Sequence, residues 1–321
     1  MVSSDPSNVT TRVLQTQSAA AVHKKSFWKR HRINSGLAFV LPAVFVYLLF
    51  VAWPIFSTVQ TSFYDWDGIS LQREWVGFEN YIELLTRDRA FGLSVRNNLI
   101  WAVVTISAMV VFGFLIAYML NQKLRLRNVY RTLIFLPTTA SLVVIGFIWE
   151  FMYRPNGGII NNVLTLLGLE SWIKLWLADA NVTIFAVIVV AIWAGLGVWV
   201  VIYLAALQGI PRDLYDSAAV DGATGFRQMI HLAIPLTMPT TRALLILGFI
   251  GAINQFGLIF LLSRGGPYHA SEVMAYQIYD LAFKTNHAGY ASALSVILLT
   301  ISAIVTVVQL FLIRGRARLF G

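Results

Sequence analysis

The sequence predicts an all-α integral membrane protein with six transmembrane helices. Three observations carry this: too little charge for a water-facing surface, six long charge-free runs, and a one-sided distribution of Lys and Arg. Of 321 residues, 58% are hydrophobic and 12% charged, whereas soluble domains carry about 25% charged residues. A chain so short of charge needs a second apolar phase. Intrinsic disorder, a collagen-like fibre and an ordinary soluble enzyme are thereby disfavoured. The sequence contains no cysteine, which removes disulfides and thiolate metal sites.

Crossing roughly 30 Å of hydrocarbon at 1.5 Å per residue takes about 20 apolar residues. Runs free of Asp, Glu, Lys and Arg cover 33–64, 97–122, 132–149, 180–211, 243–263 and 285–313. They place spans at 36–62, 97–121, 132–152, 183–207, 240–262 and 289–313. An uninterrupted helix satisfies its own backbone in lipid, so each span is expected as one helix. The next longest run, 155–169, carries Asn156-Gly157-Gly158 and reads as a loop with a surface helix.

Sixteen Lys and Arg fall on the side of the N-terminus and eight on the other, while the acidic residues divide four against eleven. Positive residues accumulate on the cytoplasmic side, so both termini are expected there, in the cytoplasmic (inner) membrane of a prokaryote. Residues 1–32 read as a disordered, basic cytoplasmic tail and 314–321 as a basic cytoplasmic C-terminus. The first charge-free run is far longer than the 7–15 residues of a signal-peptide core, so it reads as a retained helix.

Several chemistries have no residues to carry them. None of the six lysines follows a glycine, so a phosphate-cradling P-loop is absent. His23, His31, His231, His269 and His287 show no metal-ligand spacing. No carboxylate lies deep in a span, which argues against a proton- or sodium-driven carrier. The basic N-terminal run lies next to a span and reflects topology rather than nucleic-acid binding.

The loop at 208–239 is unlike the others. Pro211 suits the first turn of a helix, and Asp213 and Asp216 favour its positive end. Ala218 and Ala219 keep the surface small, and Gly222 supplies a left-handed stop. Thr224 is placed to cap a second short helix with Phe226, Met229 and Ile230 on one face, ending before Pro235. Two readings stay open on these residues: an ordinary loop on the membrane surface, or a small-residue face that another protein approaches closely.

The segment Leu214-Tyr215-Asp216-Ser217-Ala218-Ala219-Val220-Asp221-Gly222-Ala223, followed by Ile234-Pro235 and Pro239, resembles the EAA loop of permease subunits in binding-protein-dependent ABC importers. Glycine patches at 77–81, 157–161, 262–267 and 289–293 recur in the order found in the sugar-importing branch, similar to maltose-type and glycerol-3-phosphate-type permeases. The resemblance covers roughly 36–316. Asp216 and Ser217 stand where the family usually has Glu and Ala. The resemblance implies the type I ABC importer permease fold. It also implies that Asp213, Leu214, Tyr215, Asp216, Ser217, Ala218, Ala219, Asp221, Gly222 and Ala223 form a coupling helix seated in a separate ATPase subunit. Two ATPase subunits binding ATP and Mg, a second permease subunit and an extracytoplasmic solute-binding protein are the implied partners. No cofactor and no enzymatic activity are expected in this chain.

The same resemblance places cavity-lining positions around Trp193, Gly195, Val198, Gly251, Ala252 and Gln255, and polarity at membrane depth adds Asn254. Asn254 and Gln255 either hydrogen-bond between helices or bind sugar hydroxyls. Trp193 either packs or stacks on a sugar face. The expected cargo is a sugar, a di- or oligosaccharide, with glycerol-3-phosphate or a polyol as the alternative in the same family. A stand-alone secondary carrier or channel is the more distant alternative.

Overall fold

A computed structural model describes residues 39–122 and 124–317. The tail expected at 1–32 lies outside the described residues, as do 318–321. The chain divides into two compact units, Met1–Thr58 and Val59–Gly321.

The first long helix, α1, runs over Phe39–Thr61 and leaves Phe39, Phe45, Phe50 and Trp53 exposed. It contains a π turn at Leu48–Ala52, where the Trp53 N–H donates to the Leu48 carbonyl. Pro54 follows at once. A proline lacks the N–H and crowds the carbonyl four residues back, and a widened turn relieves that crowding.

In the second unit a short hairpin pairs β1 (Tyr64–Asp65) antiparallel with β2 (Glu74–Trp75), Tyr64 opposite Trp75. Helices then follow in order: α2 (Glu79–Thr86), α3 (Arg89–Asn121), α4 (Arg127–Thr139), α5 (Leu142–Met152), α6 (Ile159–Leu166) and α7 (Thr183–Gln208). Next come α8 (Arg212–Val220), α9 (Phe226–Ile253), α10 (Ile259–Ser263), α11 (Met274–Phe283) and α12 (Ala288–Ala317). Among the described residues α1, α3, α7, α9 and α12 are each long and apolar enough to cross a membrane, and α4 with α5 forms a sixth, broken span.

Two spans depart from the expectation of one helix each. The third, placed at 132–152, bends by 100° between α4 and α5. Pro137 weakens the end of α4, Ala140 is extended, and the Ser141 hydroxyl starts α5 by accepting from the Val144 N–H at 3.3 Å. Both halves still follow α7. The Tyr153 hydroxyl, just past α5, donates to the Ala186 carbonyl, and the Ile134 backbone of α4 lies against Gly197.

The fifth span, placed at 240–262, begins earlier and stops sooner. Its helix starts at Phe226, so the expected second short helix and its stop before Pro235 are not present; Gly225, not Thr224, is the N-cap. A π turn at Met229–Ala233, closed by the Ile234 N–H on the Met229 carbonyl, stands just ahead of Pro235. The helix passes Pro235 and Pro239 and then breaks after Ile253.

The interior is assembled at glycines. A Cβ on Gly113 would lie 3.1 Å from the Trp199 Cβ, and one on Gly248 would lie 2.9 Å from the Trp199 ring. The Trp199 side of α7 is thus received by a glycine on α3 and another on α9. Phe114, Tyr203 and Leu207 continue this buried layer, and the Tyr203 hydroxyl donates to Thr241 at 3.1 Å. The glycine patches outside the spans are turns and close approaches. Gly77 and Gly157 have positive φ, and a Cβ on Gly289 would meet the Tyr64 carbonyl at 1.9 Å.

Gly197, in the middle of α7, leaves little slack, since its Cβ would lie 2.7 Å from the Ile134 carbonyl oxygen and 2.9 Å from Thr138. Gly197→Ala is expected to destabilise the purified protein by about 1–3 kcal/mol through overpacking. Thermal unfolding in detergent measures this. Gly251→Ala, with open space around its Cβ, is expected not to lower the midpoint.

Candidate functional site

A cavity of about 510 Å³ lies among α3, the α4–α5 bend, α7 and α9. That volume falls within the range of small-molecule sites. Gly195 and Val198 line it from α7, Gly251 and Ala252 from α9, and Gln255 from the break that follows. Thr105 and Thr138 add hydroxyls, and no Lys, Arg, His, Asp or Glu is among its lining residues. Trp101 and Trp199 supply aromatic wall. The bend in the third span is what brings Pro137, Thr138, Ala140 and Leu142 to the rim.

The end of α9 frees the carbonyls of buried Ala252 and Ile253, and an unsatisfied buried group costs about 1–3 kcal/mol. The Ile250 carbonyl receives the Asn254 N–H and, at 2.9 Å, the Asn254 side-chain amide. The Ala252 and Ile253 carbonyls both accept from Asn98 Nδ2 of α3, each at 3.3 Å. The Asn98 Oδ1 accepts the Met274 N–H at 2.8 Å, which fixes the start of α11 as well. One buried amide thus joins α3, α9 and α11.

Five of the seven residues singled out for the cavity therefore come together. The other two do not. Asn254 turns its amide back on its own helix, and Trp193 packs edge-on against Trp149, ring centroids 5.6 Å apart. Sequence reasoning missed Asn98, Thr105, Thr138 and the tryptophans. The signal for Asn98 was available, because paired Asn97-Asn98 at the start of an apolar run is a polar pair placed where burial requires partners. Asn97 donates to the carbonyls of His269 and Glu272 at 3.0 and 2.8 Å. In that loop burial raises the Glu272 carboxyl above its ordinary range, against the hydrogen bond from His269.

At the far end of α7, α8 occupies Arg212–Val220 with Pro211 as its N-cap. Its C-terminus is closed by two backbone bonds, Gly222 N–H to Ala219 and Ala223 N–H to Ala218, with Gly222 at φ 78°. This is the Schellman arrangement, which a glycine adopts without strain. The Tyr118 hydroxyl of α3 donates to the Gly225 carbonyl, and the Gln228 amide donates to the Tyr215 carbonyl, both at 3.0 Å. Burial, and then the neighbouring Tyr118, raises the Tyr215 phenol. Asp213, Asp216, Ser217 and Ala219 are exposed, while Val220 and Phe226 present 89% and 69% of their surface. A short rigid helix with an apolar end thus projects beyond the spans.

Residues 109–318 match the family of binding-protein-dependent transport system inner membrane components. The chain belongs to this family. Its members are permease subunits of ABC importers, the ATPase residing in separate subunits. A probable ABC transporter permease protein of Bacillus subtilis, YurN, is 34% identical over 274 residues, covering 85% of this chain and 93% of that protein. The diacetylchitobiose uptake system permease protein NgcF of Streptomyces coelicolor is 28% identical over 284 residues, covering 85% and 80%. Among solved structures, a bacterial ABC transporter involved in alginate import matches with a TM-score of 0.80 and 24% identity, over 90% of this chain and 98% of that one. The last likeness concerns the fold.

Replacing Asn98 leaves the Ile253 carbonyl of α9 and the Met274 N–H of α11 without their partner, while the Ala252 carbonyl keeps the Gln255 N–H at 3.4 Å. Asn98→Leu is expected to destabilise the permease by about 1–3 kcal/mol per orphaned buried group. Amide exchange should rise first at 250–254 and 274–277. Unchanged protection at both places would show that Asn98 does not hold the break.

Proposed function

We propose that this permease carries a neutral sugar, a di- or oligosaccharide, into the cytoplasm by alternating access driven from partner ATPases. The supporting observation is the cavity: hydroxyl, amide and aromatic groups without a charged side chain. Amides and hydroxyls both donate and accept, as sugar hydroxyls do, and tryptophan offers a face for the apolar side of a pyranose. A glycerol-3-phosphate cargo calls for a cation, and this half of the path has none. The relative that acts in diacetylchitobiose uptake points the same way.

In this reading Gly195, Val198, Gly251, Ala252 and Gln255, with Thr105 and Thr138, contact the cargo. Trp193 and Asn254 support the site from outside it. A second permease subunit completes the wall, and an extracytoplasmic solute-binding protein delivers the sugar. Both termini lie in the cytoplasm, as the Lys and Arg distribution implies. The helix α8 then seats in a groove of an ATPase subunit that binds ATP and Mg. Closure of the ATPases moves α8 as a rigid piece, because its closed C-terminus and its tie to Gln228 resist bending.

Two measurements separate the parts of this proposal. In a reconstituted complex, Gln255→Leu is expected to raise the sugar concentration for half-maximal uptake about tenfold, the loss of one or two hydrogen bonds, with ATPase coupling kept. Unchanged uptake would remove Gln255 from the path. Asp216→Lys on the exposed face of α8 is expected to abolish binding-protein-stimulated ATPase activity while insertion and folding are normal; full stimulation would exclude α8 as the coupling element.

A further inference from the structure

At the α8 end of the bundle two guanidiniums stand together without a counter-charge. Arg127 and Arg131 lie one turn apart on α4, and both Nε atoms are sealed from solvent with no hydrogen-bond partner. The Gln208 amide at the end of α7, with its oxygen toward them, accepts from the Nη2 of each at 3.0 Å. Among the described residues the ion pairs are His269–Glu272 and Lys284–Asp280, both elsewhere. Gln208 is neutral, so two positive charges are held side by side by a dipole alone. Such an arrangement costs free energy unless an anion completes it.

A groove of about 420 Å³ begins at Arg131 and Gln208 and runs between α4 and α7. Its walls are apolar: Leu120, Ile134, Phe135, Val200, Val201 and Leu204. Phe135 and Val201 are 40% and 49% exposed, on segments that cross the membrane. A free phosphate would use the arginines and leave the groove empty. An acidic side chain from another subunit would do the same. A phosphodiester carrying acyl chains uses both, and basic pockets between membrane helices are a known way to hold such headgroups.

We infer that Arg127, Arg131 and Gln208 bind the phosphate of an anionic phospholipid whose acyl chain lies in the groove between α4 and α7. The groove overlaps the cavity along α7 but shares none of its lining residues. Bound there, the lipid ties the cytosol-proximal end of the broken third span to α7, one turn from the segment that leads into α8.

The test uses the complete permease–ATPase complex in nanodiscs of equal phosphatidylglycerol and phosphatidylcholine. Lipid that remains bound after detergent exchange is quantified by mass spectrometry. The unaltered complex is expected to retain phosphatidylglycerol at least fivefold over phosphatidylcholine. The double variant R127Q/R131Q is expected to lose that preference. Val201→Trp, which fills the groove and keeps both arginines, is expected to lose it too. Millimolar inorganic phosphate is expected not to displace the lipid. Equal retention in R127Q/R131Q, or in Val201→Trp, would overturn the inference. Displacement by inorganic phosphate would make the site one for free anions. If R127Q/R131Q disassembles the complex, Val201→Trp decides alone: normal lipid retention there would assign the arginines to a subunit contact instead.

Discussion

Backbone carbonyls released at a buried helix end must find donors, and the end of α9 after Ile253 is where this structure meets that constraint. Asn98 meets it from outside the helix and Asn254 from within. The consequence is geometric. A span that ends early can turn its last residues toward the bundle interior, so Gly251, Ala252 and Gln255 face a cavity rather than a continuous helix wall. A straight fifth span would bury Gln255 between helices. The same requirement explains why the donor is an amide: one side chain must satisfy two carbonyls and still accept the N–H that starts α11.

The third span obeys the constraint differently. Its corner at Ala140 and Ser141 is closed by the Ser141 hydroxyl, and the two halves lean on α7 at separate places. Among the described residues the third span is bent and α9 ends after Ile253, and both places border the cavity. Where helices are whole, as in α3 and α7, glycines bring them close around Trp199. Continuous, tightly packed helices form the fixed part; broken ones shape the site. Packed interfaces of this kind move between discrete arrangements rather than bending smoothly.

How much of this was legible in the sequence follows from the range of each signal. The spans were legible because absence of charge over some twenty residues is a local property. Gly222 was legible because a left-handed residue after a short helix is dictated within a few positions, and the Schellman bonds sit where that residue type required. The breaks were not. Pro137 predicts a weakened helix yet fixes no angle, and the stop after Ile253 has no proline at all; it depends on Asn98, 154 residues earlier. Conversely, Pro235 suggested a stop that a π turn absorbs. Asn254, read as either a hydrogen-bonding or a sugar-binding amide, turns its side chain to the Ile250 carbonyl. The family resemblance pointed to positions on two helices, and five of the seven residues line one cavity.

The uncharged lining of the cavity bears on the proposed mechanism. Gradient-driven carriers place ionisable groups at their sites, and the proposal instead takes its work from partner ATPases. In the proposal that work is received at α8, which Gln228 ties to the start of α9, while Tyr118 of α3 holds the carbonyl of Gly225, the N-cap of α9. Those are the helices that carry Asn98 at one end and the break at the other. In the proposed mechanism, force applied at α8 passes along α9 toward Gly251 and Gln255, and along α3 toward Asn98, whose amide holds the end of α9.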